Sequence, residues 1–175
     1  MFNNFNNLYS ISIYRPEHLK ATVKKLKAIL HYLFNESKSE KVELVKEVEM
    51  IRNYIGLETL RFGDRLNVQF EPEGQMSGLK IAPLILYSFV ETCFVHGAGE
   101  NPKTSWIRIE LEVQDSRLRF VAANSAPASC NPLGDKKGGS FENSVRRLEL
   151  EYPNSHCLAI RERKNEHEVE LQVSL

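Results

Sequence analysis

The chain has 175 residues, with 23 Lys and Arg balanced by 23 Asp and Glu and a hydrophobic content of 42%, the size and mixture of one compact domain carrying an appended element. This composition excludes intrinsic disorder and collagen-like repeats. A formal charge of zero supplies no overall basic field, so no nucleic-acid partner is expected and any anion site must be built locally.

Cys93, Cys130 and Cys157 form neither an even disulfide set nor a CxxC metal pair, which fits a reducing compartment. The opening Met1-Phe2-Asn3-Asn4-Phe5-Asn6-Asn7 lacks the basic start and apolar run of a signal peptide. No stretch of about 18 apolar residues occurs, so a membrane portion is expected only outside this chain.

Pro16 to Asn35 places Leu19, Val23, Leu26, Ile29, Leu30 and Leu33 at intervals of three and four, the pattern of an amphipathic helix. A polar break, Glu36 to Glu40, separates it from a second helical pattern through Val45, Val48, Ile51 and Ile55 that stops at Gly63-Asp64. Leu66 to Phe70 reads as a strand closed by Pro72, Gly74 and Gly78. Pro83 to Val95 is apolar almost all round, as expected of a helix between layers, yet it carries Glu91, Thr92 and His96 near its end.

Trp106 to Val113 alternates strictly after its first residue, turns at Gln114-Asp115-Ser116 and returns over Arg117 to Val121, a hairpin with one wet face. Asn124 to Ser140 is too long for a tight turn and reads as a functional loop. Phe141 to Glu151 is helical, and Cys157 to Ile160 with Val169 to Leu175 make a closing hairpin. The order predicts an α+β fold in two layers, helices covering one face of a mixed, mostly antiparallel sheet.

Three features could carry chemistry. Glu91 is a carboxylate in an apolar helix, either an acid–base group or a structural carboxylate satisfied by a neighbouring backbone or by an arginine such as Arg61 or Arg65. His96-Gly97 fits a helix end with Gly97 as a left-handed cap. Gly134 to Ser140 runs into the helix at Phe141, offering backbone N–H groups and two lysines to a polyphosphate, or simply a solvated loop with Ser140 as N-cap.

Taken together, Ile55-Gly56-Leu57-Glu58, Arg61-Phe62-Gly63-Asp64-Arg65-Leu66, Ala82-Pro83-Leu84, Phe89 to Gly97, Glu142-Asn143 and Arg146 to Pro153 resemble the LytS-like sensor histidine kinases, in the wording of their Bacteroides-type branch. The resemblance implies a two-layer α/β sandwich of the GHKL (Bergerat) ATPase type with an N-terminal helical segment. It implies two parts: residues 1–40, the C-terminal part of a helical dimerisation and phosphotransfer segment, and residues 41–175, the ATP-binding domain. Phe2 to Tyr9 is similar to the run that follows the family's phosphoacceptor histidine, so that acceptor is expected upstream of residue 1.

Carried over residue by residue, the resemblance makes Glu91 the general base. It makes Thr92, His96, Gly97, Asn124, Gly138, Gly139 and Asn143 the positions around ATP and Mg²⁺. Thr92 stands where the family has the magnesium-ligating Asn, Ala123 aligns with the Asp that accepts the adenine amino group, with Asn124 as a neutral substitute beside it, and Ser140 replaces the second loop Gly. A hydroxyl replaces an amide at an octahedral metal, and a Cβ enters a phosphate loop.

The implied function is the cytoplasmic transmitter portion of an inner-membrane two-component sensor with impaired autokinase activity. A homodimer and a LytTR-type response regulator are the implied partners. The alternative is a pseudokinase that keeps the fold for dimerisation and signalling without binding ATP.

Overall fold

The computed structural model describes residues 11–98, 105–125, 140–163 and 165–175. Helix α1 spans Pro16–His31 and continues as a widened π turn over Tyr32–Glu36. Pro16 at its start costs nothing, since the first helical N–H groups have no partner within the helix. Strand β1, Val42–Glu43, leads into α2, Leu44–Phe62, which ends at Gly63 with φ 58° and ψ −143°, a positive-φ conformation that glycine accepts without strain.

Strand β2 is Leu66–Gly74, β3 is Lys80–Ile81, and α3 is Ile85–Thr92 followed by a π-helical turn over Cys93–Ala98. Then come β4, Ser105–Gln114; β5, Arg117–Ser125; α4, Ser140–Glu151; β6, His156–Arg163; and β7, Glu166–Ser174. The main sheet runs β2-β4-β5-β7-β6, with β2 parallel to β4 and the remaining pairs antiparallel. Pro72 is tolerated in β2 because that strand is an edge and needs no ladder donor on its free side. A separate antiparallel pair, β1 with β3, ties the start of α2 to the segment before α3.

One face of the sheet packs under the helices. Ile107, Ile109, Leu111 and Val113 of β4, with Leu118, Phe120 and Ala122 of β5, are buried there against Phe89 of α3 and Leu148 of α4. The alternate residues form the other face, which is laced with charge: Arg108 reaches Glu168 at 3.4 Å, Arg119 reaches Glu170 at 3.0 Å, and Arg161 lies 2.7 Å from Glu168 and 2.8 Å from Glu170. The strict alternation in Trp106 to Val113 is therefore expressed as a dry face and a wet one.

Several expectations are adjusted. Val23 and Val45 lie at exposed positions, and the inner face of α2 instead includes two carboxylates, Glu47 and Glu58, exposed by 0% and 4%. Gly97 is not a left-handed cap: among the described glycines, positive φ occurs at Gly63, Gly74 and Gly78, and Gly97 lies within the π turn. Among the described residues, no helix is long and apolar enough to cross a membrane.

Candidate functional site

The polar end of α3 meets the sheet beside α4. Thr92 from α3, Cys93 from the π turn after it, Phe141 from α4, Asn124 from β5 and His167 from β7 line a cavity of about 20 Å³ there, with Phe89, Ala122 and Val169 supplying apolar wall. That volume accommodates about one water molecule. Asn124 and His167 are cross-strand partners in the β5–β7 ladder, so both side chains emerge on the helix-covered face.

Asn124 is 3% exposed, and its side-chain amide donates to the Ser125 carbonyl at 3.0 Å. The Nδ1 atom of His167 is buried and has no hydrogen-bond partner. Residue-type patterns did not mark His167; the alternation of β7, which puts Leu171 and Val173 in the core, extrapolates back to it two residues at a time. The Thr92 hydroxyl donates to the Ser88 carbonyl one turn earlier, at 2.9 Å. Cys93 is buried and its thiol is pushed up to about 12 by burial, which leaves it unreactive near neutrality.

Glu91 does not line this cavity. It is half-buried and accepts a hydrogen bond from the Tyr87 hydroxyl at 3.1 Å. Arg61, one of the partners the sequence suggested for Glu91, pairs with Glu58 at 2.7 Å, packed over the Phe62 ring. Burial raises the Glu58 carboxyl, and Arg61 opposes that rise.

The register places Ala123 away from the cavity. Ala123 stands between Arg108 and Glu168, on the sheet face opposite the helices, and is covered by their ion pair. The residue of β5 that faces the cavity is Asn124. The two positions point to opposite sides because successive side chains of a strand alternate.

Gly97 closes the same region. A Cβ built on it would stand 2.7 Å from both Cβ and the amide nitrogen of Asn124, so only glycine allows the π turn to lie on β5. Thr92, Gly97 and Asn124 are thus brought together. Asn143 lies exposed on the first turn of α4 and is not part of the cavity wall. Gly138 and Gly139 fall outside the described residues, as do the side chains of His96 and Ser140.

The start of α3 is held as firmly as its end is shaped. Leu84, its N-cap, has φ 66° and ψ 5°, a left-handed conformation that costs a residue with a side chain roughly 1–2 kcal/mol. Three side chains fix it. The Ala82 N–H donates to the Tyr152 hydroxyl at 2.8 Å, Arg147 donates to the Pro83 carbonyl at 2.6 Å, and the Leu84 and Tyr87 N–H groups donate to Glu47 at 3.0 and 3.3 Å. The Tyr32 hydroxyl donates to the same Glu47 carboxyl. Burial raises the Glu47 carboxyl while these hydrogen bonds oppose the rise, and burial beside Glu47 also drives the Tyr32 hydroxyl well above its ordinary value.

Comparison with known proteins places these features in context. A family model for histidine kinase matches residues 1–66. The chain is 29% identical over 125 residues to the sensor histidine kinase YpdA of Escherichia coli (strain K12), covering 71% of this chain and 22% of that protein. It is 23% identical over 130 residues to the sensor protein LytS of Enterococcus faecalis, covering 68% of this chain and 22% of that protein. The chain thus spans about a fifth of the length of these relatives.

Among solved structures, the catalytic domain of histidine kinase ThkA superposes with a TM-score of 0.56 at 14% identity, covering 77% of this chain and 93% of that one. ThkA in complex with the response regulator protein TrrA gives a TM-score of 0.54 at 12% identity, over 98% of this chain and 57% of that one. The fold is that of histidine kinase catalytic domains.

Proposed function

We propose, for a chain that belongs to the LytS-like sensor histidine kinase family, that it is the transmitter portion of a two-component sensor in which nucleotide handling is weakened. Residues 1–40 act as the C-terminal part of the dimerisation and phosphotransfer segment, and residues 41–175 act as the ATP-binding domain. The phosphoryl acceptor is a histidine outside this chain. Glu91, half-exposed and oriented by Tyr87, is the group to draw a proton from that imidazole.

The single observation that carries the reading is the pairing of a buried Asn124 amide with a Thr92 hydroxyl already donated to Ser88 on the walls of one cavity. The described residues fit the base of a nucleotide better than its metal. Phe89, Ala122, Phe141 and Val169 offer flat apolar surface, with Asn124 and the unpartnered Nδ1 of His167 as polar contacts for an adenine edge. A base enters only as these walls part, because the cavity holds about 20 Å³. Thr92, whose short side chain is held back against its own helix at the Ser88 carbonyl, reaches less far than an amide oxygen and is a poor substitute for one at Mg²⁺.

The relatives named as sensors support placement on the cytoplasmic side of an inner-membrane receptor, anchored through parts beyond this chain. The ThkA–TrrA complex supports a response regulator as partner, here one of LytTR type, with a homodimer as the working unit. A second reading, a pseudokinase that no longer binds ATP, is favoured by the small cavity.

Calorimetric titration of the chain with ATP, with and without Mg²⁺, separates these readings. Weak heat little changed by magnesium supports the impaired kinase. Tight, magnesium-dependent binding overturns the impairment, and absence of heat leaves the pseudokinase.

A further inference from the structure

The clamp on Leu84 connects parts of the chain that have no need to meet for helix capping alone. A Ser, Thr or Asp at position 84 itself would satisfy the first N–H groups of α3 locally. Here the acceptor is Glu47, a fully buried carboxylate on α2, and the oxygen that accepts from the Leu84 N–H also accepts from Tyr32, the first residue of the π turn that ends α1. A buried carboxylate is costly unless every partner is in place. The same acidic group therefore senses both the position of Tyr32 and the position of the Leu84 and Tyr87 amides.

Helix α3 transmits that position. It runs as a single α-helical rod from Ile85 to Thr92, so a shift at its clamped start is carried to Glu91 and Thr92 at its other end. The π turn at Tyr32–Glu36 is an uncommon helical form, and its return to α geometry would rotate and draw back the Tyr32 ring. Tyr152 and Arg147 hold the segment on its far side, through Ala82 and Pro83, so Glu47 and Tyr32 are its link to α1.

We infer that Tyr32 and Glu47 are positioning residues that make the placement of the Glu91–Thr92 end of α3 depend on the attitude of α1. The inference rests on the reading of α3 as the nucleotide-facing helix and adds to it the route by which the helical segment regulates that site.

The test is the amide spectrum of the ¹⁵N-labelled chain, which needs no ligand. Tyr32→Phe removes one hydroxyl and should move the resonances of Leu84 and Tyr87, which bond Glu47, and also those of Glu91 and Thr92, which do not. Val173→Ala, a core truncation on β7, serves as the control for general destabilisation and should leave Glu91 and Thr92 in place. Changes confined to Leu84 and Tyr87, or equal changes at Glu91 and Thr92 in the control, overturn the inference. If Tyr32→Phe does not fold, Glu47→Gln, which keeps the shape and one acceptor, is read in the same way.

A parallel ATP titration should show affinity altered at least about threefold in Tyr32→Phe and unaltered in Val173→Ala. Failure of the parent chain to bind ATP would remove the nucleotide reading alone, since the spectrum decides the coupling by itself.

Discussion

Gly97 lies against Asn124 so closely that a methyl group on the glycine would stand 2.7 Å from the Asn124 Cβ. The contact joins the π turn after α3 to β5 at the edge of the cavity, where an inserted carbon has nowhere to go. Gly97→Ala should lower stability by about 1–3 kcal/mol, the range for overpacking a closed site, measured by urea denaturation. Because the obstacle is the Asn124 side chain, the cost should shrink in an Asn124→Gly background. Equal costs in both backgrounds would place the strain elsewhere.

The β4–β5 hairpin turns through Asp115 and Ser116 at φ 48° and 60°, both in the left-handed region, as a two-residue type I′ turn requires. Asn and Gly occupy those two positions with less strain. The double change Asp115→Asn with Ser116→Gly should stabilise the fold by about 1 kcal/mol, seen as a raised Tm without change in the spectrum of the cavity residues. An unchanged or lowered Tm would contradict the turn geometry.

Glu47 gives the fold a specific dependence on pH. Burial raises its carboxyl above the ordinary value of 4.5, so the folded chain holds this proton more tightly than the unfolded chain. The stability from that difference is fully present below the unfolded value and is lost as pH climbs through the raised folded one. Glu58 shifts in the same direction with Arg61 opposing it, whereas Glu170, on the charged face of the sheet, is lowered by Arg161 and acts in the opposite sense. Urea midpoints should therefore decline as pH rises above about 4.5, and Glu47→Gln should flatten the decline. A Glu47→Gln profile parallel to that of the parent would exclude Glu47 as its source.

The layers and most elements are legible in the sequence because their signals are local. The period of Pro16 to Asn35, the alternation of Trp106 to Val113 and the stop at Gly63 each depend on neighbours within a turn or a strand. The site is legible only in part. Glu91 draws attention as a charge among apolar residues, but its place at the end of α3 leaves it half-exposed.

Glu47, set among Lys46 and Glu49 on a charge-rich helix, gives no such signal and is nevertheless buried, because α1 and the start of α3 close over it. Arg147, Tyr152 and Ala82-Pro83-Leu84 look like unrelated blocks along the chain. They converge on one backbone segment, a relationship of topology that no local window contains.

The strand register makes a final and sharper test of the cavity. Counting along β5, a shift of one residue exchanges the charged face for the covered one, and Asn124 rather than Ala123 faces Thr92 and His167. A carboxylate at position 124 would accept a hydrogen bond from an adenine amino group about twice as strongly as the amide does, and an amide oxygen at position 92 would suit a metal carried by the triphosphate. Thr92→Asn combined with Asn124→Asp should raise ATP affinity about tenfold, equivalent to about 1.4 kcal/mol, and should make binding respond to Mg²⁺. Ala123→Asp inserts a charge beneath the Arg108–Glu168 ion pair on the far side of the sheet, so it should alter stability and leave affinity where it was. Calorimetry on the three chains decides the matter: a gain from Ala123→Asp, or none from the pair at 92 and 124, would mean that the nucleotide does not lie between α3 and β5.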